Sequence, residues 1–420
     1  MALWNESKGT RTLAAINKLQ ARFLMRAAII LIAAVILTAC ATGRSQPGGE
    51  LGPAMVIGVS SDGRYAISTH KSQHLVLWDL QQHSRDILST HANIYSAYFI
   101  HDRDAFLWQD LDDIVRVQTV DGEVLKQFAH FPTYGHVMDT SLTHYIASDD
   151  HWSLFAGHGD EIMPVKQDGI SPSFLGTGKL LHLSISEEKG LFVSAGSTTH
   201  DGYDIEEHPP VAPEQRWSNY ALPVLWNLDT LEPIAQLTGN SSKVDAVISP
   251  DGQWVVSGDE AGIGLFWNTD NPERRHRMAR YSGGLLLEDA PYGIDDPRRY
   301  DMSGLIPVPL ADEPDRWGDR SVVTNTTVAL AFINDSEEFL RFGTYSHWVA
   351  LFEAGNPWPQ KYFDLGDDPW PSTSSYLRSL SIATSPQANV LVTGHRNDGG
   401  ITVYRYDPGA RTLTKEWVGE

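Results

Sequence analysis

The chain is almost devoid of cysteine: Cys40 is the one cysteine among 420 residues. No intramolecular disulfide can form, so burial of apolar side chains must stabilise the fold even in an oxidising compartment. The sequence supplies material for such a core, because 41% of its residues are hydrophobic and it holds 13 Trp, 15 Tyr and 14 Phe.

Basic residues are scarce, with 32 Lys and Arg against 53 Asp and Glu. Residues 1–40 hold five of the basic residues and one of the acidic ones, which leaves a net charge near −25 on the remaining chain. Such a surface repels phosphate backbones and anionic lipid headgroups. The composition therefore disfavours nucleic-acid binding and electrostatic docking to a membrane.

The N-terminal apolar run is short. It covers residues 27–39, which is 13 residues, whereas a transmembrane helix needs about 20. Lys18, Arg22 and Arg26 precede the run, and the polar segment 42–49 follows it. This arrangement predicts a secretory signal at residues 1–39 and a flexible linker at residues 40–54. An uncleaved signal anchor is the alternative.

The run ends on Leu37, Thr38, Ala39 and Cys40, which resembles the lipobox of a bacterial lipoprotein signal. The resemblance implies that Cys40 is diacylated on its sulfur, becomes the mature N-terminus after cleavage and is acylated there again. Ala41, rather than aspartate, follows the cysteine, which in such lipoproteins implies the periplasmic face of the outer membrane. Membrane attachment is thus expected through acyl chains on Cys40.

Motifs for catalysis or metal binding are missing from the sequence. It contains no His-Glu-x-x-His, no cysteine-bearing zinc pattern and no Gly-x-Ser-x-Gly elbow. Segment 173–180 superficially resembles a phosphate loop, but Ser173 replaces its first glycine and Leu180 replaces its final Ser or Thr. We therefore predict no catalytic residue, no metal site and no cofactor, and we interpret His91 and His136 as structural.

A sequence pattern of short apolar strands and polar turns recurs beyond residue 54. One copy covers residues 56–80, and a close second copy covers residues 244–268. Each copy has an apolar strand, an Asp-Gly turn, an alternating strand, a short gap and a strand that ends on an aromatic residue. Such a sequence pattern is typical of one β-propeller blade.

These copies are similar to WD repeats, since their last strands end on Trp78-Asp79 and Trp267-Asn268, and Trp226-Asn227 ends another. The resemblance implies an all-β, seven-bladed β-propeller over residues 55–420. Two proline-bearing segments, near 197–219 and 288–320, interrupt the spacing and are interpreted as loop insertions. An eighth, divergent blade within the longer interval is the alternative.

In such propellers the second-to-third-strand loops and the loops that lead into the next blade open on one face. Both insertions and segment 366–372 use these loops, so we expect one loop-rich face. Exposed aromatic and acidic residues there predict a surface for a protein partner; the alternative is that the aromatic residues only pin the loops to the propeller. The candidate residues are Trp217, Tyr292, Tyr300, Trp317, Asp367, Asp368 and Trp370.

The function expected from the sequence is a lipid-anchored, periplasmic, non-enzymatic scaffold that binds a protein partner, with a role in envelope assembly or maintenance suggested by analogy. A propeller enzyme or small-ligand binder that uses the channel mouth is the alternative.

Overall fold

A computed structural model describes residues 51–128, 135–148, 154–158, 161–165, 178–198, 223–237, 240, 244–259, 264–278, 327–343, 348–356, 359–365, 382–395 and 399–420. These residues form β-strands, turns and loops and contain no helix. Within these ranges, accordingly, no helix is long and apolar enough to cross a membrane.

The strands form seven sheets, and each sheet is a four-stranded antiparallel meander made from one contiguous part of the chain. The strands of the first four blades are β1 (Ala54–Val59), β2 (Tyr65–His70), β3 (Leu75–Asp79), β4 (Ser84–Ser89), β5 (Ala92–Phe99), β6 (Ala105–Asp110), β7 (Val115–Thr119), β8 (Val124–Phe128), β9 (Gly135–Met138), β10 (His144–Ser148), β11 (Leu154–His158), β12 (Glu161–Pro164), β13 (Gly178–Ser186), β14 (Leu191–Thr198), β15 (Val224–Asn227) and β16 (Pro233–Gln236). Those of the last three blades are β17 (Val244–Ile248), β18 (Trp254–Asp259), β19 (Gly264–Asn268), β20 (Arg275–Arg277), β21 (Thr327–Ile333), β22 (Glu338–Gly343), β23 (Trp348–Glu353), β24 (Pro359–Asp364), β25 (Ile382–Ser385), β26 (Val390–Gly394), β27 (Ile401–Asp407) and β28 (Thr412–Gly419).

The sheets close into a ring through their first strands. Each first strand contacts the first strand of the next blade, and β25 of the last blade contacts β1 of the first. The fold is therefore a seven-bladed β-propeller with the first strands around a central channel, which confirms the fold class and the count of seven blades predicted from the sequence.

The core is divided among the interfaces between blades. Seven apolar clusters lie between neighbouring sheets, one at each junction. Between blades 5 and 6, for example, Val256 and Phe266 pack against Leu330 and Phe339. A single four-stranded sheet cannot bury both of its faces, so each blade depends on its neighbours for a core.

The ring closes without an exchanged strand, and a short segment replaces it. Residues 51–54, which we call the strap, enter the seam between blades 1 and 7. Leu51 is 1% exposed and belongs to the cluster that joins Trp78 of blade 1 to Val390 of blade 7. The amide of Ala54 donates to the carbonyl of His395 at 3.1 Å.

The Asp-Gly turn predicted in blade 5 is present, and hydrogen bonds around Ser249 stabilise it. The Ser249 hydroxyl donates to Asp251 Oδ1 at 2.5 Å and accepts from the Trp254 amide at 2.9 Å, while the Gln253 amide donates to Asp251 Oδ1 at 2.9 Å. Gly252 has a φ of 70°, which is the left-handed region that favours glycine. The turn of blade 1 repeats the same pattern of bonds around Ser60 and Asp62.

A buried chain of hydrogen bonds links the third strand of blade 1 to the strap. Trp78 Nε1 donates to Ser68 Oγ at 2.7 Å, and Ser68 Oγ lies 2.7 Å from His70 Nε2. His70 Nδ1 lies 3.2 Å from the carbonyl oxygen of Gly52. Since a carbonyl can only accept, we assign the proton to Nδ1, which leaves Nε2 to accept from Ser68.

Burial favours the neutral form of His70, and a second buried histidine, His136, is favoured as neutral for the same reason. Burial lowers the pKa of His70 to about 4 and that of His136 to about 3. The unfolded chain therefore binds more protons than the folded one below the ordinary pKa of 6.5. The stability contributed by the neutral histidines is fully present above pH 6.5 and is lost as the pH falls toward the folded values.

We expect the free energy of unfolding to fall between pH 6 and pH 4.5 by about 1.4 kcal/mol per pH unit for each of these histidines. Denaturant titrations across this range measure the slope. A His70→Gln variant, which removes one of the two groups, should show a smaller slope. An equal slope in this variant and the parent chain would contradict the assignment of His70.

Candidate binding site at the channel mouth

The antiparallel meander places the connections of each blade on two opposite faces. The first-to-second-strand turns of all seven blades lie at one end of the channel, and we call this end the turn face. The second-to-third-strand connections and the connections into the next blade leave from the other end, which we call the loop face. Segments 199–223, 278–326 and 365–381 all begin and end at strand termini on the loop face.

The residues predicted to bind a partner all fall within or beside these segments. All seven of these candidate residues lie outside the described residues: Trp217, Tyr292, Tyr300, Trp317, Asp367, Asp368 and Trp370. The lipobox residues Leu37, Thr38, Ala39 and Cys40 lie outside them as well.

At the turn face the channel opens into a cavity of about 760 Å³. The ends of the first strands and the following turns line it, and all seven blades contribute. We call this cavity the turn mouth. Its size falls in the range of about 300–1,000 Å³ that is usual for small-molecule sites.

Hydrogen bonds between neighbouring blades surround the turn mouth. At the seam, Ser385 Oγ donates to the carbonyl of Ser61 at 2.6 Å. The Asp102 amide donates to Ser61 Oγ at 2.6 Å, and Thr140 Oγ1 lies 3.1 Å from the carbonyl oxygen of His101. These contacts join blades 7, 1, 2 and 3 in succession.

The same kind of contact continues around the rest of the ring. At each remaining junction a side chain or amide of one turn bonds to the turn of the next blade. The bonds are Thr140 N to Glu187 Oε1 at 2.8 Å, Ser186 Oγ to Pro250 O at 2.7 Å, Asp251 N to Ser336 Oγ at 2.9 Å and Asp335 N to Pro386 O at 3.0 Å. A continuous belt thus fixes the shape of the mouth.

Apart from Tyr98 and His101, the ionisable side chains of the described lining are carboxylates. None of the described residues that line the mouth is Lys or Arg. His101 Nδ1 lies 3.2 Å from Asp102 Oδ2. Burial, with a contribution from the negative charge of Glu187, raises the pKa of Tyr98, a lining residue whose side chain packs against two of the apolar clusters between blades. The carboxylates of the lining are those of Asp102, Glu187, Glu188, Asp251, Asp335 and Glu337.

The two histidines interpreted as structural occupy different environments. His136 lies in β9, is 6% exposed and packs edge-on against the ring of Tyr145. His91 lies on the surface, with its Nε2 3.5 Å from Asp112 Oδ2. The described part of the chain holds no group of three or more His, Cys, Asp or Glu placed to bind a metal ion.

The belt was not anticipated from the sequence, although a signal for part of it is present. Ser-x-Asp-Gly at 60–63 and 249–252 marks two of the seven turns, and in each the residue beside the serine contacts another blade. The remaining turns have no shared motif, so their meeting at one mouth required the tertiary structure.

Comparisons with known proteins establish the fold and leave the family open. No protein-family model matches the chain, and no curated protein matches it. Solved structures with a similar fold include the β-propeller domain of Myceliophteria thermophila Cps50 (Swd1), with a TM-score of 0.53 and 11% identity over 86% of this chain and 98% of that one.

Two further structures are similar to the same extent. A KlHsv2 variant with loop 6CD replaced by a Gly-Ser linker has a TM-score of 0.51 and 11% identity, over 88% of this chain and 99% of that one. Kuenenia stuttgartiensis hydrazine synthase has a TM-score of 0.52 and 10% identity, over 89% and 98%. At such low identity these likenesses define a WD-repeat-like β-propeller as the class of fold and carry no function.

Proposed function

We propose that this protein is a non-enzymatic scaffold, anchored to the outer membrane by acyl chains on Cys40, which holds a protein partner in the periplasm through its loop face. The observation that carries the proposal is the unequal length of the connections on the two faces. The turns at the turn face are short and joined by the belt, whereas the long segments 199–223 and 278–326 both leave from the loop face.

A rigid ring suits such a role. Interfaces on a preformed support lose less conformational entropy on binding than interfaces on a mobile chain. Attachment to a membrane would raise the effective concentration of the ring toward other envelope proteins. A role in envelope assembly or maintenance rests on analogy with other anchored propellers.

The loop face can be tested by site-specific photocrosslinking in the native envelope. A crosslinking residue at Trp317 is expected to capture a defined partner, which is lost when residues 288–320 are deleted. The same residue at Glu123, in the exposed turn between β7 and β8 on the turn face, is the matched control. Equal capture of that protein from both positions would contradict a role of the loop face.

The anchor is tested separately. Cys40→Ala removes the only thiol, so we expect the protein to move from the membrane fraction to the soluble periplasmic fraction. Fractionation followed by immunoblotting measures this transfer. Tight membrane retention of Cys40→Ala would refute acyl anchoring without affecting the loop-face proposal.

A further inference from the structure

The strap is bonded through its backbone to one corner of blade 1 and to blade 7. The corner consists of residues 70–74, at the end of β2 and in the turn into β3. Two of its histidines take part in the contacts. The bonds run from Ser72 Oγ to the Leu51 carbonyl, from His70 Nδ1 to the Gly52 carbonyl at 3.2 Å, from the Lys71 amide to the Pro53 carbonyl at 2.9 Å and from the Ala54 amide to the His395 carbonyl at 3.1 Å, and Ser72 Oγ also lies 2.7 Å from His74 Nδ1.

The ring of His70 makes contacts that depend on its protonation state. His70 is fully buried, and both of its ring nitrogens are used. Ser68 Oγ accepts from Trp78 Nε1 and donates its own hydrogen to His70 Nε2. A proton on Nε2 would turn this nitrogen into a donor, so the Ser68 hydroxyl would lose its acceptor and a positive charge would be buried. Protonation therefore destabilises the closed seam.

The ring of His74 makes a contact that does not change on protonation. The Ser72 hydroxyl donates its one hydrogen to the Leu51 carbonyl, so it accepts from His74 Nδ1. This nitrogen is a donor in the imidazole and stays one in the imidazolium. His74 is also only half-buried. Of the two histidines in the corner, His70 is thus the one whose protonation opposes closure.

The charged groups that act on His70 are bases. His74 shares its corner, and Arg85 lies on β4 of the same blade. Burial lowers the pKa of His70, the bond to the Gly52 carbonyl raises it, and the charges of His74 and Arg85 lower it further. Lys71 is the next residue of the corner, and His395 lies beside the strap on blade 7, with its Nε2 2.9 Å from Thr402 Oγ1.

The elements packed around His70 place no carboxylate beside it within the described residues. The strap and β1 contain no ionisable side chain, and β5 contains only tyrosines. Asp79 of β3 pairs with Tyr65, at the other end of β2, and Asp86 of β4 is exposed to solvent. A proton on His70 is therefore stabilised by contact with water and not by a neighbouring anion.

Release of the strap is the smallest opening that gives His70 access to water. β2 is bonded on both sides, to β1 and β3, whereas the strap has four residues and is held by the bonds described above and by the packing of Leu51. Proteins open first at short segments with few contacts. Proton uptake by His70 is thus coupled to departure of the strap.

We propose that the strap is an acid-sensitive closure of the ring: a proton on His70 releases residues 51–54 from the seam while the sheets of the seven blades stay folded. The junction between the first and last blades is then the part of the ring that responds to pH. This device goes beyond the scaffold function and is independent of it, because every group involved belongs to the seam.

Hydrogen exchange of the full chain from pH 6 to pH 4.5, corrected for the chemical exchange rate of each amide, tests the closure. The Ala54 and Lys71 amides report on the strap, and the Ser249 and Thr269 amides, which bond within blade 5, are the reference. We expect the opening constant of the strap amides to rise about tenfold per pH unit, as one proton requires, and to exceed that of the reference amides throughout. Equal opening constants for both pairs at every pH would show global unfolding alone and would overturn the proposal.

His70→Gln and its matched control His74→Gln assign the response. Glutamine keeps polar groups in the site but takes up no proton, so the opening constant at Ala54 should change by less than about twofold across the pH range. His74→Gln should keep the full response. Each variant is compared with itself across the range, because either substitution also changes the opening at pH 6. A retained response in His70→Gln, or a lost one in His74→Gln, would overturn the proposal.

A reciprocal measurement leaves His70 in place. Leu51→Ala loosens the strap by removing packing, and strap release and proton uptake are linked. NMR titration should therefore show the pKa of His70 rising from about 4 toward its ordinary value of 6.5. His136, which is buried in blade 3, is the internal control and should not move. An unchanged pKa of His70 in Leu51→Ala would contradict the coupling.

Discussion

Gly252→Ala is expected to lower the free energy of unfolding by about 2–4 kcal/mol, because it combines a left-handed backbone with an overpacked junction. A Cβ at this position would lie 2.5 Å from Lys189 Cβ and 2.8 Å from Ser186 Oγ, both on blade 4. Neither atom is the free end of a long side chain, so the turn itself must move. The movement would also disturb the belt bond from Ser186 to Pro250.

Gly63→Ala tests the same physics at the seam, where the new Cβ would lie 2.6 Å from Ala388 Cβ of blade 7. The matched control is Gly190→Ala. Gly190 also has a positive φ, of 63°, but a Cβ there meets nothing within 4 Å, so only the backbone cost of about 1–2 kcal/mol applies. Chemical denaturation measures all three, and equal losses would show that packing between blades does not contribute.

Shortening the Leu51 side chain of the strap is the second change with a large expected effect. Leu51→Ala should cost about 2–5 kcal/mol, as is usual for a fully buried leucine. The residue is 1% exposed and lies between the first and last blades. Since no strand is exchanged between these blades, we expect the loss to open the ring at this junction before others.

Hydrogen exchange of the backbone amides locates the opening. In Leu51→Ala, exchange should accelerate at the Ala54 and His395 amides, which bond across or beside the seam, more than in blades 3 and 4. Leu111→Ala is the control, since Leu111 is 40% exposed and the same truncation should change stability by less than about 0.5 kcal/mol. Uniform acceleration in all blades would argue that the ring unfolds as one unit.

These two sets of variants address different levels of the fold. The glycine series concerns the turns that shape the mouth, and the leucine series concerns the closure of the ring. The strap begins 11 residues after Cys40 in the sequence.

The blade pattern was predictable from particular residues. Val244–Ile248 is an apolar strand and the strand at Trp254 is the alternating one, while the intervening Ser-x-Asp-Gly supplies a turn with its own hydrogen bonds. Third strands that end near Trp78, Trp226 and Trp267 marked three of the seven blades, and the structure buries each of these indoles between sheets. Local periodicity and turn chemistry carry this information within each blade.

The mouth could not be predicted in the same way. Ser61, Thr140 and Ser336 lie far apart in the chain, and no spacing marks them as neighbours. Single polar residues in turns are ordinary in any β-protein, so the pattern holds no signal of a shared site. The strap was missed for a related reason: Leu51 follows a polar linker, and only its contact with blade 7 distinguishes it from linker sequence.

By itself, the sequence determined that the chain is all-β, that seven blades repeat along it and that they cannot rely on disulfides, because these properties depend on composition and on residues close together in the chain. The tertiary structure alone decided which turns meet around the channel and how the first blade joins the last. Those properties arise when the ring closes and brings together residues separated by hundreds of positions.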